Sequence, residues 1–239
     1  MVGTSDHVEA AVVTPEQSFT QPSVSVPLSV PVPKASTGSL LTRVGKKPLL
    51  EPTNAWWESR AVFNPGVVES PDGTIHILYR AQGHDGVSRF GYARTKDGVT
   101  IEARAPEPVY EPDIHDELER IGTEDPRIVR IGNLYLVTYT AASLYRSTDP
   151  HPEWIPEGEP PWRVRVALSV TEDFRTFLRL GVLLPDVDNK DGVLFPERIG
   201  DRYLLFHRFP PDMWLATSTD LRHWEGHQIV LRTLSLIHI

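Results

Sequence analysis

The chain contains no cysteine. That absence excludes disulfides, thiolate metal sites and a cysteine nucleophile together. It contains no apolar run of about 18 residues, so nothing in it reads as a membrane-spanning helix. Its N-terminus has no basic stretch leading into a continuous apolar one. No secretory signal is therefore read, and the cytoplasm is the expected compartment. A basic excess is missing too: 24 Lys and Arg stand against 32 Asp and Glu, a net charge of −8. Nucleic-acid binders need a basic face, so that partner class is not expected. There is neither a Gly-rich nucleotide loop nor a Gly-x-Ser-x-Gly elbow. Helical periodicity is nearly absent.

What is present suits a folded enzyme or binding domain. The 239 residues are 40% hydrophobic and 23% charged, enough for one large domain or two small ones. Residues 1–40 are rich in Pro, Ser and Val and read as a disordered tail. Residues 41–233 read as the folded domain. Leu234–Ile239 matches one reading frame of a sequencing adapter and is taken as a non-native extension.

The domain is organised around Ile121–Ile128, which sets Glu124, Asp125, Pro126 and Arg127 side by side before a strand-like run. Acids at the start of a buried hairpin are costly unless paired or used. Two readings fit this stretch. Either Asp125 points into a sugar-binding centre as a proton donor, or Glu124 and Arg127 form a salt bridge at a strand entrance.

The punctuation around that stretch recurs. Asn64-Pro65, Asp125-Pro126 and Phe195-Pro196 each open a run, and Gly73, Gly132 and Gly200 each mark its turn. Behind each hairpin comes a strand containing Ala93, Ala167 or Ala216, then Ser or Thr, then a turn Asp; the middle copy carries two extra residues before its Asp173. The repeat predicts an all-β fold of four-stranded units, an incomplete β-propeller with about three blades present. A ring needs more, so the missing blades are expected beyond Thr233 and in part before Leu41.

Five stretches in order resemble glycoside hydrolase family 130, the β-mannoside phosphorylases and mannosidases. They are Trp57–Pro65, Leu78–Ala81, Gly122–Ile128, Asn189–Glu197, and Phe206–Arg208 with Trp214–Ala216 and Asp220–Trp224. The resemblance implies a five-bladed propeller with Asp125 as general acid. It implies substrate contacts from Asn64, Arg80, Glu124 and Asp191, and a phosphate seat of Lys190 and Arg208 with Asn189 and His207 beside them. It implies inverting phosphorolysis of terminal β-mannosides to α-mannose 1-phosphate. Inorganic phosphate is then a co-substrate, and the partner is a β-mannoside oligosaccharide. No cofactor is expected.

The chemistry is consistent with those assignments. Inverting glycosidases use an acid and a base, whereas phosphate arrives already anionic and needs cations to hold it in line. A lysine point charge and an arginine fork serve that purpose. Asp125 would need a raised pKa, and Arg127 is expected to pair with Glu124. In this family the proton is thought to pass through a sugar hydroxyl. Trp56, Trp57 and Tyr145 are candidates for stacking at the mouth, while Trp214 and Trp224 read as packing. The Pro-rich loop 145–162 either caps the acceptor subsite or makes a homo-oligomer contact.

Two decoys are rejected. Asp186–Gly192 imitates a calcium loop, but its glycine is misplaced and Lys190 occupies a ligand position. His223 and His227 imitate a zinc pair, but Gly226 breaks the helix it needs. The functional alternatives are β-mannoside hydrolysis on the same fold, with Asp191, Glu197 or an acid in the missing blades as base, and a non-catalytic propeller that binds glycans or proteins. An arabinan- or fructan-type hydrolase is a weaker third. A chain with open sheet faces is itself expected to be inactive.

Overall fold

The computed structural model describes residues 43–149, 155 and 158–233. The chain divides into units 1–42 and 43–239, and every described residue lies in the second. The expected tail, the terminal hexapeptide and much of the loop 145–162 fall outside the described residues.

The described chain is all-β. Three antiparallel meanders follow one another. The first is β1 (Ala61–Glu69), β2 (Ile75–Gln82), β3 (Ser88–Thr95) and β4 (Ala103–Arg104). The second is β5 (Gly122–Ile131), β6 (Leu134–Leu144), β7 (Trp162–Thr171) and β8 (Phe177–Val182). The third is β9 (Lys190–Leu194), β10 (Tyr203–Phe209), β11 (Asp212–Ser218) and β12 (Glu225–Leu231). A parallel pairing of Ser88 with Gly122 joins the first two edge to edge. The described residues close no ring.

Each meander repeats two local devices. The first is a bulge in the opening strand. The register slips between Phe63 and Gly66, and again between Glu124 and Arg127. It slips a third time where Lys190 to Val193 of β9 face Arg208 and Phe206. Inside each slip one non-glycine residue takes a left-handed backbone: Asn64 at φ 44°, Asp125 at 52° and Asp191 at 56°. Short polar side chains tolerate that region best, yet it costs about 1–3 kcal/mol and collects at functional positions. The true repeat unit is therefore 64 to 125 to 191. The third unit begins at Lys190-Asp191, ahead of the expected Phe195-Pro196. The prolines misled the phasing because Gly192 stands where Pro65 and Pro126 stand in the other units. Gly192 is required by packing: a Cβ there would come within 2.5 Å of the Val166 side chain.

The second device closes the third strand. Thr95, Thr171 and Ser218 each accept a hydrogen bond from the backbone N–H three residues on, at Gly98, Phe174 and Leu221. All three of those residues have positive φ. Asp97, Asp173 and Asp220 cap the same turns by accepting backbone N–H groups; these hold the carboxyls of Asp97 and Asp173 below the usual range, and at Asp220 the His223 side chain lowers it most, with the backbone N–H groups adding to it. The middle copy thus has no extra residues. Thr171 plays the part expected of Ser169.

A buried lock holds the first two meanders. Tyr79 donates to Glu58 at 2.8 Å, and Arg104 donates to both. One unit later, Tyr139 donates to Glu119 at 2.6 Å and Arg179 pairs with Glu119. In the third meander the strand position of Tyr79 and Tyr139 belongs to His207, one residue before Arg208. Pro185 stands where the glutamates stand, six residues before the left-handed position. Apolar side chains fill the spaces between the meanders: Leu78, Phe90, Val137 and Ala167 between the first two, Leu136, Val166, Leu194 and Leu205 between the second and third. Trp57, expected near the mouth, is fully buried and donates to Pro106 O at 3.1 Å.

Candidate active site

The bulges bring their left-handed residues and strand partners to one region. A hollow of about 380 Å³ opens there, lined by Arg80, Glu124, Asn189, Lys190 and Arg208, with Trp162 and Asp188 also on its wall. Three cations therefore face two carboxylates.

Arg80 joins the first meander to the second. Its Nη1 donates to Asp125 Oδ1 at 3.0 Å, and its Nη2 pairs with Glu124 Oε1. Its Nε donates to Ser88 Oγ at 3.0 Å, and Ser88 in turn donates to Glu124 at 3.1 Å. Phe63 supports the guanidinium from 4.7 Å. Asn64 Nδ2 donates to the same Asp125 oxygen at 2.8 Å. Asp125 thus receives two donors from the first two strands of the neighbouring unit. Its other oxygen accepts neither.

Arg127 does not pair with Glu124 as expected. Its guanidinium folds back on the carbonyl oxygens of Asp125 and Pro126, both at 3.1 Å. The bulge turns Glu124 towards Arg80, and spacing along the chain cannot reveal that turn. Burial raises the Glu124 pKa. Arg80 and the Ser88 hydroxyl oppose the rise, Asp125 adds to it, and Lys190 opposes it through space. Glu124 lines the hollow; Asp125 reaches the hollow's wall through Arg80.

On the third meander, Arg208 Nη2 pairs with Asp191 Oδ2 at 3.1 Å. Arg208 Nε is buried without a hydrogen-bond partner among the described residues. Lys190 enters no salt bridge among the described residues. Asn189 is buried, and its Nδ2 lies 2.8 Å from His207 Nδ1. His207 does not line the hollow; neighbouring strand residues face opposite ways, and its ring points away from the side of Arg208.

Asp188, which falls in the calcium-like run of the sequence, lines the hollow. It is held by Arg165, by Val164 N at 3.0 Å and by Tyr145 Oη at 2.6 Å. Tyr145 is therefore tied into the wall through its hydroxyl. Trp56 is exposed, with the Arg89 guanidinium 4.6 Å from its ring centroid, and it is not among the lining residues. Trp162, not singled out by the sequence, lines the hollow where β7 begins.

Fold and hollow together define an all-β protein of repeated meanders, with paired carboxylates and cations gathered where the bulges meet. The chain belongs to glycoside hydrolase family 130: the family profile, described as beta-1,4-mannooligosaccharide phosphorylase, matches residues 36–152 and 157–238. A 1,2-beta-oligomannan phosphorylase of Thermoanaerobacter sp. (strain X514) is 35% identical over 202 residues, 81% of this chain and 62% of that protein. A beta-1,2-mannobiose phosphorylase of the same organism is 33% identical over 74% of this chain and 57% of its own length. The solved beta-1,2-mannobiose phosphorylase from Listeria innocua shares the fold at TM-score 0.60 and 23% identity, covering 78% of this chain and 63% of its own. The chain thus spans about 60% of the length of the curated relatives it matches.

Proposed function

We propose that the three meanders are blades of an incomplete five-bladed β-propeller, and that the site performs inverting phosphorolysis of a terminal β-mannoside. The observation that carries this reading is the meeting of the Arg80–Asp125–Glu124 cluster with Lys190 and Arg208 around one hollow. Phosphate sits against Lys190 and Arg208, and one of its oxygens attacks C1 as the glycosidic bond breaks. Asp125 supplies the proton that the leaving oxygen takes up, by way of a sugar hydroxyl. Asn64 and Arg80 fix the Asp125 carboxyl group through Oδ1, so the proton it gives up sits on Oδ2, and Asp191 steadies Arg208. Relatives named for 1,2- and 1,4-linked mannoside phosphorolysis support the substrate class. The products are α-mannose 1-phosphate and the shortened oligosaccharide. No organic cofactor takes part.

Hydrolysis of the same bond is a second reading. It is favoured by Asp191, a further carboxylate held at 3.1 Å from Arg208, where it stands ready to act as a base on water. One family 130 structure of similar fold is described as showing glycoside hydrolases that target beta-1,2 mannosidic linkages.

The deciding experiment measures mannose 1-phosphate and free mannose from β-1,2- and β-1,4-mannobiose, with and without inorganic phosphate. Phosphate-dependent mannose 1-phosphate supports phosphorolysis. Free mannose released at the same rate without phosphate overturns it. The 239-residue chain and a version extended to the relatives' length are assayed together.

A further inference from the structure

His207 is buried outside the hollow and lines a second cavity of about 410 Å³ with Trp214, Trp224 and His227. It reaches the hollow's lining through its hydrogen bond with Asn189. The hydrogen-bond arithmetic of that contact is restrictive. Asn189 Nδ2 can only donate, so His207 Nδ1, 2.8 Å away, must carry no proton. The ring proton then sits on Nε2, which faces His227 Nδ1 at 3.4 Å, and His227 accepts. Burial, with His227 adding to it, lowers the His207 pKa to about 4, so the ring is neutral near pH 7. No other charged group is involved in that shift.

One atom remains unmatched. Asn189 Oδ1 is buried and has no hydrogen-bond partner among the described residues. A buried carbonyl oxygen without a donor is costly, and a ligand that brings an O–H relieves the cost. The deprotonated oxygens of phosphate, those that cations hold, bring only lone pairs and repel it.

We propose that Asn189 reads a sugar hydroxyl rather than phosphate, and that His207, fixed by His227, is the positioning residue that turns its amide. This assignment rests on the mannoside reading for its ligand. It revises the expectation that Asn189 and His207 belong to the phosphate seat. The reverse amide orientation requires the opposite tautomer, with the proton on His207 Nδ1. Asn189 would then offer N–H to the hollow, as an anion needs.

Long-range ¹H–¹⁵N spectra of the full chain at neutral pH decide the tautomer without any substitution. Protonated Nε2 with bare Nδ1 is expected at His207. Protonated Nδ1, or a doubly protonated ring, overturns the proposal. In steady-state assays, His207→Phe raises the KM for β-1,2-mannobiose by about tenfold and leaves that for inorganic phosphate unchanged. His207→Asn, whose amide oxygen takes the place of Nδ1, recovers most of the loss. A rise confined to the phosphate KM overturns the proposal. Matching circular dichroism and melting curves separate lost positioning from lost fold. If neither the 239-residue chain nor its extended version turns over β-1,2-mannobiose with phosphate, phosphorolysis fails as a reading. The Asn189 side-chain amide resonance on adding β-1,2-mannobiose then carries the test: a shift with mannobiose and none with phosphate supports the assignment, and the reverse, or no shift with mannobiose, sinks it.

Discussion

Arg80 leaves the second strand of one meander and grips Asp125 of the next, Nη1 to Oδ1 at 3.0 Å, while its other nitrogen holds Glu124. A planar fork meets the two carboxyls from two separate nitrogens held in one plane, which the single nitrogen of a lysine cannot do. Arg80→Lys keeps the charge and loses the second contact. Turnover is expected to fall by about 100-fold, since misplacement of a positioned group by an ångström costs that much. Unchanged kcat/KM in the lysine variant would show that the fork is not used.

Asp125→Asn and Glu124→Gln separate the two acids. The first is expected to abolish turnover and leave mannobiose binding measurable by calorimetry. The second removes a carboxyl whose pKa burial has raised. A raised carboxyl binds more protons in the folded chain than in the unfolded one. Its contribution to stability is full below the unfolded pKa and lost as pH rises through the raised folded value. Glu124→Gln therefore weakens the fall in melting temperature across that window. A full rate with Asp125→Asn rejects Asp125 as proton donor.

Lys190→Ala and Arg208→Ala test the anion seat. Each is expected to raise the phosphate KM by about tenfold or more, the range of one charge-assisted contact. Arg208→Ala should do so with a secondary effect on stability, because Asp191 loses its partner. Equal effects on the sugar and phosphate KM values would argue for general collapse of the hollow.

The buried lock of the second meander gives a stability prediction. Glu119→Ala strips Tyr139, Arg179 and the Asp113 backbone N–H of their common acceptor. Removing one side of a buried ion pair costs about 3 kcal/mol. Exposed Glu107→Ala is the control and stays within about 0.5 kcal/mol. Urea melts of both variants check the difference.

His207 makes the fold sensitive to acid. Its pKa falls from 6.5 to about 4 on burial, so the unfolded chain binds the proton first. Stability from this residue is complete above pH 6.5 and is lost as pH drops towards 4. His76, stacked 4.6 Å from Phe174, shifts the same way through burial. His207→Phe should flatten part of the acid loss in a pH series of melts.

The repeat, the all-β class, the family and most of the residues at the hollow were legible in the chain. Pro65, Pro126 and the turn glycines are local punctuation, and local punctuation survives in one dimension. The phase of the third unit was not legible, because Gly192 replaces the proline that marks the other two. The copy Thr171-Asp173 was misread for a similar reason: Ser169 offers the same hydroxyl two residues too early. What repeats in space is the left-handed φ at Asn64, Asp125 and Asp191, three different neighbourhoods in sequence.

The amino-acid sequence alone determined which groups are available: two adjacent acids, an asparagine before proline, and a lysine and arginine in the third unit. Partnership was decided only by the tertiary structure. Arg127 stands two residues from Asp125 yet spends its donors on carbonyls, while Arg80, 45 residues away, takes both carboxyls. Strand pairing and the bulge set those directions. A side chain's partner depends on which face the pleat gives it, and the slip in each opening strand reverses that face.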